Sequence, residues 1–217
     1  MSDLAKIRTT MVDSQLRTNK VNDPAVLDAF LTVPREAFVP EALQGIAYVD
    51  EDLPLGGGRY LLEPMVLARL IQAAAIRRDD VVLEIGCATG YASAILGRLA
   101  KSVIAIDSDP ALVQLAKTNL AGTRNVAVFE QKPAPGYPER APYDVILIGG
   151  AVAEIPASIL DQLAETGRLV TVIENPGGAL GEAVIMQRGP SGVARRGLFE
   201  AGSHTLPGFE PVLKFAF

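Results

Sequence analysis

The sequence has little with which to staple itself, hold a metal or attach to a charged surface. Its single cysteine, Cys87, excludes an intrachain disulfide, and with a single histidine, His204, there is no Cys/His set for a metal. No apolar run approaches the roughly 20 residues needed to span a bilayer. The opening M-S-D-L-A-K-I-R lacks the apolar stretch of a signal peptide. Net charge is −5, so nothing in the balance favours nucleic acid or an anionic membrane. No repeat, linker or low-complexity segment interrupts the 217 residues, 49% of them hydrophobic, enough for one domain with a sizeable core. These absences predict a cytoplasmic, single-domain protein spanning residues 1–217. Cys87 lies far in sequence from the one histidine that could activate a thiol, so it reads as a packing or ligand-lining residue rather than a nucleophile.

What is present centres on V-V-L-E-I-G-C-A-T-G-Y, residues 81–91. Val81-Val82-Leu83 reads as a buried parallel strand. Gly86 to Gly90 is a turn, and Tyr91 starts a helix. Strand, glycine turn and helix place a ligand at the carboxyl end of a parallel sheet, and glycine lets the backbone come close to it. A second apolar strand, Val103–Ile106, runs into Asp107. A carboxylate roughly 20 residues after such a turn suits the two hydroxyls of a ribose. A dinucleotide site would need G-x-G-x-x-G, whereas here Glu84 precedes Gly86-Cys87-Ala88-Thr89-Gly90. That spacing looks like the first motif of class I methyltransferases, and Glu84 suits a cationic ligand better than a pyrophosphate.

Further strands are expected at 126–129, 144–148 and 168–173, and helices at 90–99, 110–120 and 156–165, with Gly122 and Gly167 at helix ends. Ala183–Arg188 and Val193–Phe199 read as a hairpin around residues 189–192, after a turn at Asn175-Pro176-Gly177-Gly178. Upstream, residues 3–18 read as an amphipathic helix, and Asn22-Asp23-Pro24 starts a second. Pro34 to Pro40 stops that helix. Residues 45–60 are expected to be irregular around Gly56-Gly57-Gly58, and Pro64–Ala75 forms a helix. The fold class is therefore α/β: a Rossmann-like class I methyltransferase fold, with a mostly parallel seven-stranded sheet, a terminal antiparallel hairpin and an N-terminal helical extension. Residues 1–78 are expected to cover the site.

Over most of its length the chain resembles the protein-L-isoaspartate O-methyltransferase family. The likeness is carried by Met11-Val12-Asp13-Ser14-Gln15-Leu16, Pro34-Arg35-Glu36-Ala37-Phe38-Val39-Pro40 and Ala47-Tyr48-Val49-Asp50. Leu53-Pro54-Leu55-Gly56-Gly57-Gly58, Leu83 to Tyr91, Ala141-Pro142-Tyr143-Asp144, Ile155-Pro156 and Leu160-Asp161-Gln162-Leu163 extend it. The resemblance implies methyl transfer from S-adenosylmethionine to the free carboxylate of isoaspartyl residues in damaged protein, a repair reaction. It also implies a cofactor site made by Glu84, Gly86, Cys87, Ala88, Gly90, Asp107, Ser108 and Gln131. The expected partner is a protein or peptide acceptor or an unknown small molecule, with no nucleic acid, membrane or metal.

The chain departs from the family pattern at two places. Arg59-Tyr60-Leu61-Leu62-Glu63-Pro64 stands where the family has Q-T-I-S-Q-P, so Leu62 replaces the Ser associated with activity. Gln131-Lys132-Pro133 stands where the family has G-D-G, and Lys132 can only donate where an Asp would accept. Arg59 and Glu63 become the candidate acceptor-site residues. They pair with each other on the surface, or Glu63 repels an acceptor carboxylate while Arg59 offsets it. Three readings stay open: isoaspartyl transfer with an altered acceptor site, a methyltransferase with a different acceptor, and a non-catalytic homologue.

Overall fold

The computed structural model describes residues 3–175, 177 and 180–211. In chain order it contains α1 (Asp3–Met11), continued by a π-helical turn at Val12–Leu16, then α2 (Pro24–Thr32) and 3-10 turns at Arg35–Phe38 and Glu41–Ile46. Next come β1 (Leu53–Gly56), β2 (Arg59–Leu61), α3 (Pro64–Ala74), β3 (Val81–Ile85), α4 (Tyr91–Leu99), β4 (Ser102–Asp107), α5 (Pro110–Asn119) and β5 (Val126–Glu130). The chain continues through β6 (Tyr143–Val152), α6 (Ala157–Leu160), β7 (Leu163–Ile173), β8 (Gly181–Gly189) and β9 (Gly192–Ala201). Caps fix two helix starts: Asp23 and Asp109 each accept from the next two free N–H groups, with Pro24 or Pro110 opening the helix.

Seven strands form one sheet in the order β5-β4-β3-β6-β7-β8-β9. The first five run parallel, and β8 and β9 return antiparallel. This is the expected sheet with its terminal hairpin. β9 is an outer strand, and its register with β8 shifts between Ala183 and Val184, which bulges β9 at Leu198. The apolar runs split by period two into two faces. Val82, Val103, Ala105, Val145, Leu147 and Val170 share a core with residues of α1 to α4. Leu83, Ile85, Ile104, Ile106, Ile146 and Ile148 face the other way, toward Ile159 of α6 and, beyond the hairpin, Leu206 and Phe209.

Four expectations are corrected. Residues 45–60 are not irregular: they hold a 3-10 turn and the β1–β2 hairpin, turned by Gly56, Gly57 and Gly58, all at positive φ. The helix expected at 156–165 stops at Leu160, because Gln162 turns inward. Its amide donates to Pro135 O and Ser158 O and accepts from Tyr137 N, so the chain passes straight into β7. Gly167 accordingly lies inside β7 rather than at a helix end. The single helix over 3–18 is α-helical only to Met11. The turn at 175–178 lies partly outside the described residues.

One buried cation organises the N-terminal region. Arg35 is fully buried, its Nε donating to Ala47 O at 2.7 Å and its Nη2 to Leu62 O at 2.7 Å. Its guanidinium lies 5.0 Å from the Tyr91 ring, which Phe30 and Phe38 meet edge-on. Thr89 Oγ1 donates to Phe38 O at 2.6 Å. The P-R-E-A-F-V-P stretch is thereby joined both to the hairpin and to the glycine turn.

Candidate active site

The site lies where the parallel order reverses, between the carboxyl ends of β3 and β6. Gly86 N and Cys87 N both donate to Ile106 O, at 2.8 and 3.0 Å, so the turn after β3 is pinned to β4. Gly86, Ala88 and Gly90 have φ of 82°, 48° and 94°, and Gly90 opens α4. From β6, Gly149 packs so closely that a Cβ there would stand 2.8 Å from Gly86 O.

Asp107 ends β4 with its carboxylate buried beneath the turn. It accepts from Ala88 N at 2.8 Å and from Asp109 N at 3.1 Å, and from the Arg59 guanidinium in a buried ion pair. Glu84 is buried behind it and accepts from Ser93 Oγ. Burial, and next the charge of Asp107, pushes its pKa up to about 7, against the pull of Ser93 and Arg59. Cys87 is buried and its thiol is pushed well above its usual range, so it stays protonated. Gln131 meets Asp107 through backbone, its N–H donating to Asp107 O at 2.9 Å, while Ser108 and Lys132 are exposed.

Arg59 departs from the sequence reading. It does not pair with Glu63 on the surface: it is buried and crosses from β2 to Asp107. Beside it, Leu206 fills the hollow left by the missing side chain of Gly86. A Cβ at that glycine would meet Leu206 Cδ1 at 2.6 Å and Arg59 Nη2 at 3.1 Å. The space left among Gly58, Arg59, Leu62, Gly150 and Leu206 is only about 10 Å³. That is room for one water at most beside the Gly86 hollow.

Glu63 stands at the N-terminus of α3, half-buried, with its N–H donating to Asp52 Oδ1 at 2.8 Å. Burial first, then Asp50 and Asp52, raises its pKa to about 7. The neutral acid, which can donate a hydrogen bond, is thereby favoured relative to an ordinary carboxylate. Leu62 is buried against the apolar core, not presented to solvent. The residues that sequence reading missed are Asp52 and the segment Ser203–Phe209; a pairing across 151 residues leaves no periodic signal.

A seven-stranded sheet in this order, with a glycine turn after β3 and an acid ending β4, defines a Rossmann-like class I methyltransferase fold. Family comparison narrows this further. Residues 7–189 match the family described as Protein-L-isoaspartate(D-aspartate) O-methyltransferase, and the chain belongs to that family. It is 44% identical over 177 residues to a protein-L-isoaspartate O-methyltransferase of Methylorubrum extorquens, covering 81% of this chain and 78% of the relative. A relative from Syntrophobacter fumaroxidans of the same description, numbered 1, is 36% identical over 201 residues, covering 91% and 92%. Among solved structures, one named protein-L-isoaspartate O-methyltransferase superposes with a TM-score of 0.81 at 25% identity, over 93% of this chain and 67% of the other. A putative member from Plasmodium falciparum, in complex with S-adenosyl-L-homocysteine, gives 0.79 at 18% identity, over 93% and 98%. No helix among the described residues is long and apolar enough to cross a membrane.

Proposed function

We propose that the protein is an S-adenosylmethionine-dependent O-methyltransferase that acts on the free carboxylate of isoaspartyl residues in damaged protein, with an altered acceptor site. It acts in the cytoplasm as one unit spanning residues 1–217, in which residues 1–78 cover the site. The observation that carries the reading is Asp107, held under the glycine turn at the carboxyl end of β4 by Ala88 N and Asp109 N. The seats fit the cofactor: an acid for ribose hydroxyls, a turn bare of Cβ at Gly86, and flanking Glu84, Cys87, Ala88, Gly90, Ser108 and Gln131. The room does not fit in this conformation, because Arg59 and Leu206 fill it.

When bound, S-adenosylmethionine supplies a sulfonium methyl group. A carboxylate acceptor is ionised at neutral pH, its pKa being roughly 4, so the chain need supply no base. Its residues act by position, which is worth several kcal/mol in oriented reactions. Glu63 in its neutral form offers the acceptor a hydrogen bond, while Leu62 offers none.

Calorimetric titration with S-adenosylhomocysteine is expected to give saturable binding that Asp107→Ala weakens at least about tenfold, about 1.4 kcal/mol. No heat at millimolar ligand from both the intact chain and an Arg59→Ala chain would overturn the proposal. It would favour a non-catalytic homologue, a reading supported by the guanidinium seated on Asp107. With an isoaspartyl peptide, Leu62→Ser together with Glu63→Gln is expected to transfer methyl faster than the unmodified chain. The gain is roughly two- to tenfold, since one orienting hydrogen bond is worth about 0.5–1.5 kcal/mol. An unmodified chain that already turns over at roughly 1 per second or faster would show that Leu62 does not limit the acceptor site.

A further inference from the structure

After β9 the chain turns back across the carboxyl ends of β3 and β6, outside the residues 7–189 that match the family. Four kinds of contact fasten it. Thr205 forms a parallel bridge with Ala151, Ala151 N donating to His204 O at 2.9 Å and Leu206 N to Ala151 O at 2.8 Å. Ser203 Oγ and His204 Nδ1 each lie 3.2 Å from Asp52 Oδ2, and His204 stacks on Tyr60 with 3.5 Å between ring centroids. At the far end Pro207 rests against Gly58, at 3.8 Å from a Cβ placed there, beside the residue that carries the guanidinium to Asp107. Strap and hairpin thus close on the same hollow from two sides.

We infer that Ser203–Phe209 and Arg59 form an autoinhibitory strap, which holds the cofactor cleft shut by placing Leu206 in the Gly86 hollow and a guanidinium on Asp107. The inference rests on the methyltransferase reading, and it makes strap closure and cofactor binding mutually exclusive. The closure is reversible in its design. When Arg59 leaves, Asp107 keeps its two backbone N–H donors, so its carboxylate is not orphaned, and a ligand hydroxyl can replace the single guanidinium donor. Arg59 gains by leaving, because its Nε has no hydrogen-bond partner among the described residues in the closed state, an arrangement that is costly for a buried donor. The hairpin that carries Arg59 turns on three successive glycines, each at positive φ, and among the described residues its two strands pair only with each other. On the strap, His204 is half exposed, and its clasp to Asp52 sits at the rim.

Two variants test this with S-adenosylhomocysteine as the probe. A chain that is mostly closed binds with an apparent affinity reduced by its open fraction, so Arg59→Ala is expected to bind at least about tenfold more tightly than the unmodified chain. The paired change Ala151→Cys with Thr205→Cys, oxidised across the bridge, is expected to bind at least about tenfold more weakly than the same chain reduced. Reduction restores the open fraction in one polypeptide, so a folding defect cannot imitate the result. Equal affinity in either comparison would overturn the strap while leaving the methyltransferase reading in place. Absence of binding by the intact, Arg59→Ala and reduced chains alike would overturn both.

Discussion

Replacing Arg35 by methionine is expected to destabilise the chain by about 2–4 kcal/mol, well above the common effect of a point substitution. The change strands two buried carbonyls, Ala47 O and Leu62 O, now bonded at 2.7 Å each. An unsatisfied buried acceptor costs about 1–3 kcal/mol. The contact with the Tyr91 face is lost as well. Part of this is offset, because burial already lowers the Arg35 pKa and methionine removes that desolvated charge. Arg35→Lys is expected to recover little, since an ammonium cannot span two carbonyls as the planar guanidinium does. Urea unfolding midpoints would measure it, and a loss below about 1 kcal/mol would show that the two carbonyls find other donors.

The second large effect depends on pH and runs the other way. Glu84 is fully buried with its pKa raised from 4.5 to about 7, so the folded chain holds this proton more tightly than the unfolded chain does. Below pH 4.5 both states are protonated and Glu84 costs nothing. Between there and about 7 the unfolded state ionises first, so stability falls as pH rises, and above the folded pKa the full penalty persists. At 1.36 kcal/mol per unit that penalty is about 3 kcal/mol. Glu84→Gln is therefore expected to stabilise the chain by up to about 3 kcal/mol at pH 8 and by almost nothing at pH 4.5. Glu63 shifts in the same direction over the same window, but it is half exposed to solvent screening and contributes less. Denaturation at the two pH values decides the matter: an equal effect of Glu84→Gln at both would show that the carboxyl does not titrate between them.

The parallel strands were legible because burial on both faces demands continuous apolar runs, and Val81–Ile85 and Val103–Ile106 supply them. The turn and its acid were legible because glycines at positive φ and a strand-ending carboxylate have few alternative explanations. The partner of Arg59 was not. Arg59 and Asp107 lie 48 residues apart, and a charge that looks solvated in sequence becomes internal only when the hairpin folds over β4. Leu160-Asp161-Gln162-Leu163 continues a helical pattern, and only the inward bonds of Gln162 break it. The Leu206 and Phe209 contacts are equally tertiary: nothing local in S-H-T-L-P-G-F indicates that it will lie on a sheet face.

The outer strand of the terminal hairpin also bears on how the chain behaves among its own copies. A ten-residue strand whose outer edge has no partner strand among the described residues is a template on which another chain could add, the first step of aggregation. β9 presents Arg195 and Arg196 in its middle and Glu200 near its end, and it bulges at Leu198, where a straight ladder would otherwise continue. Charge and bulge together make that edge a poor template for a further strand, so the hairpin that launches the strap also works against growth of the sheet across molecules.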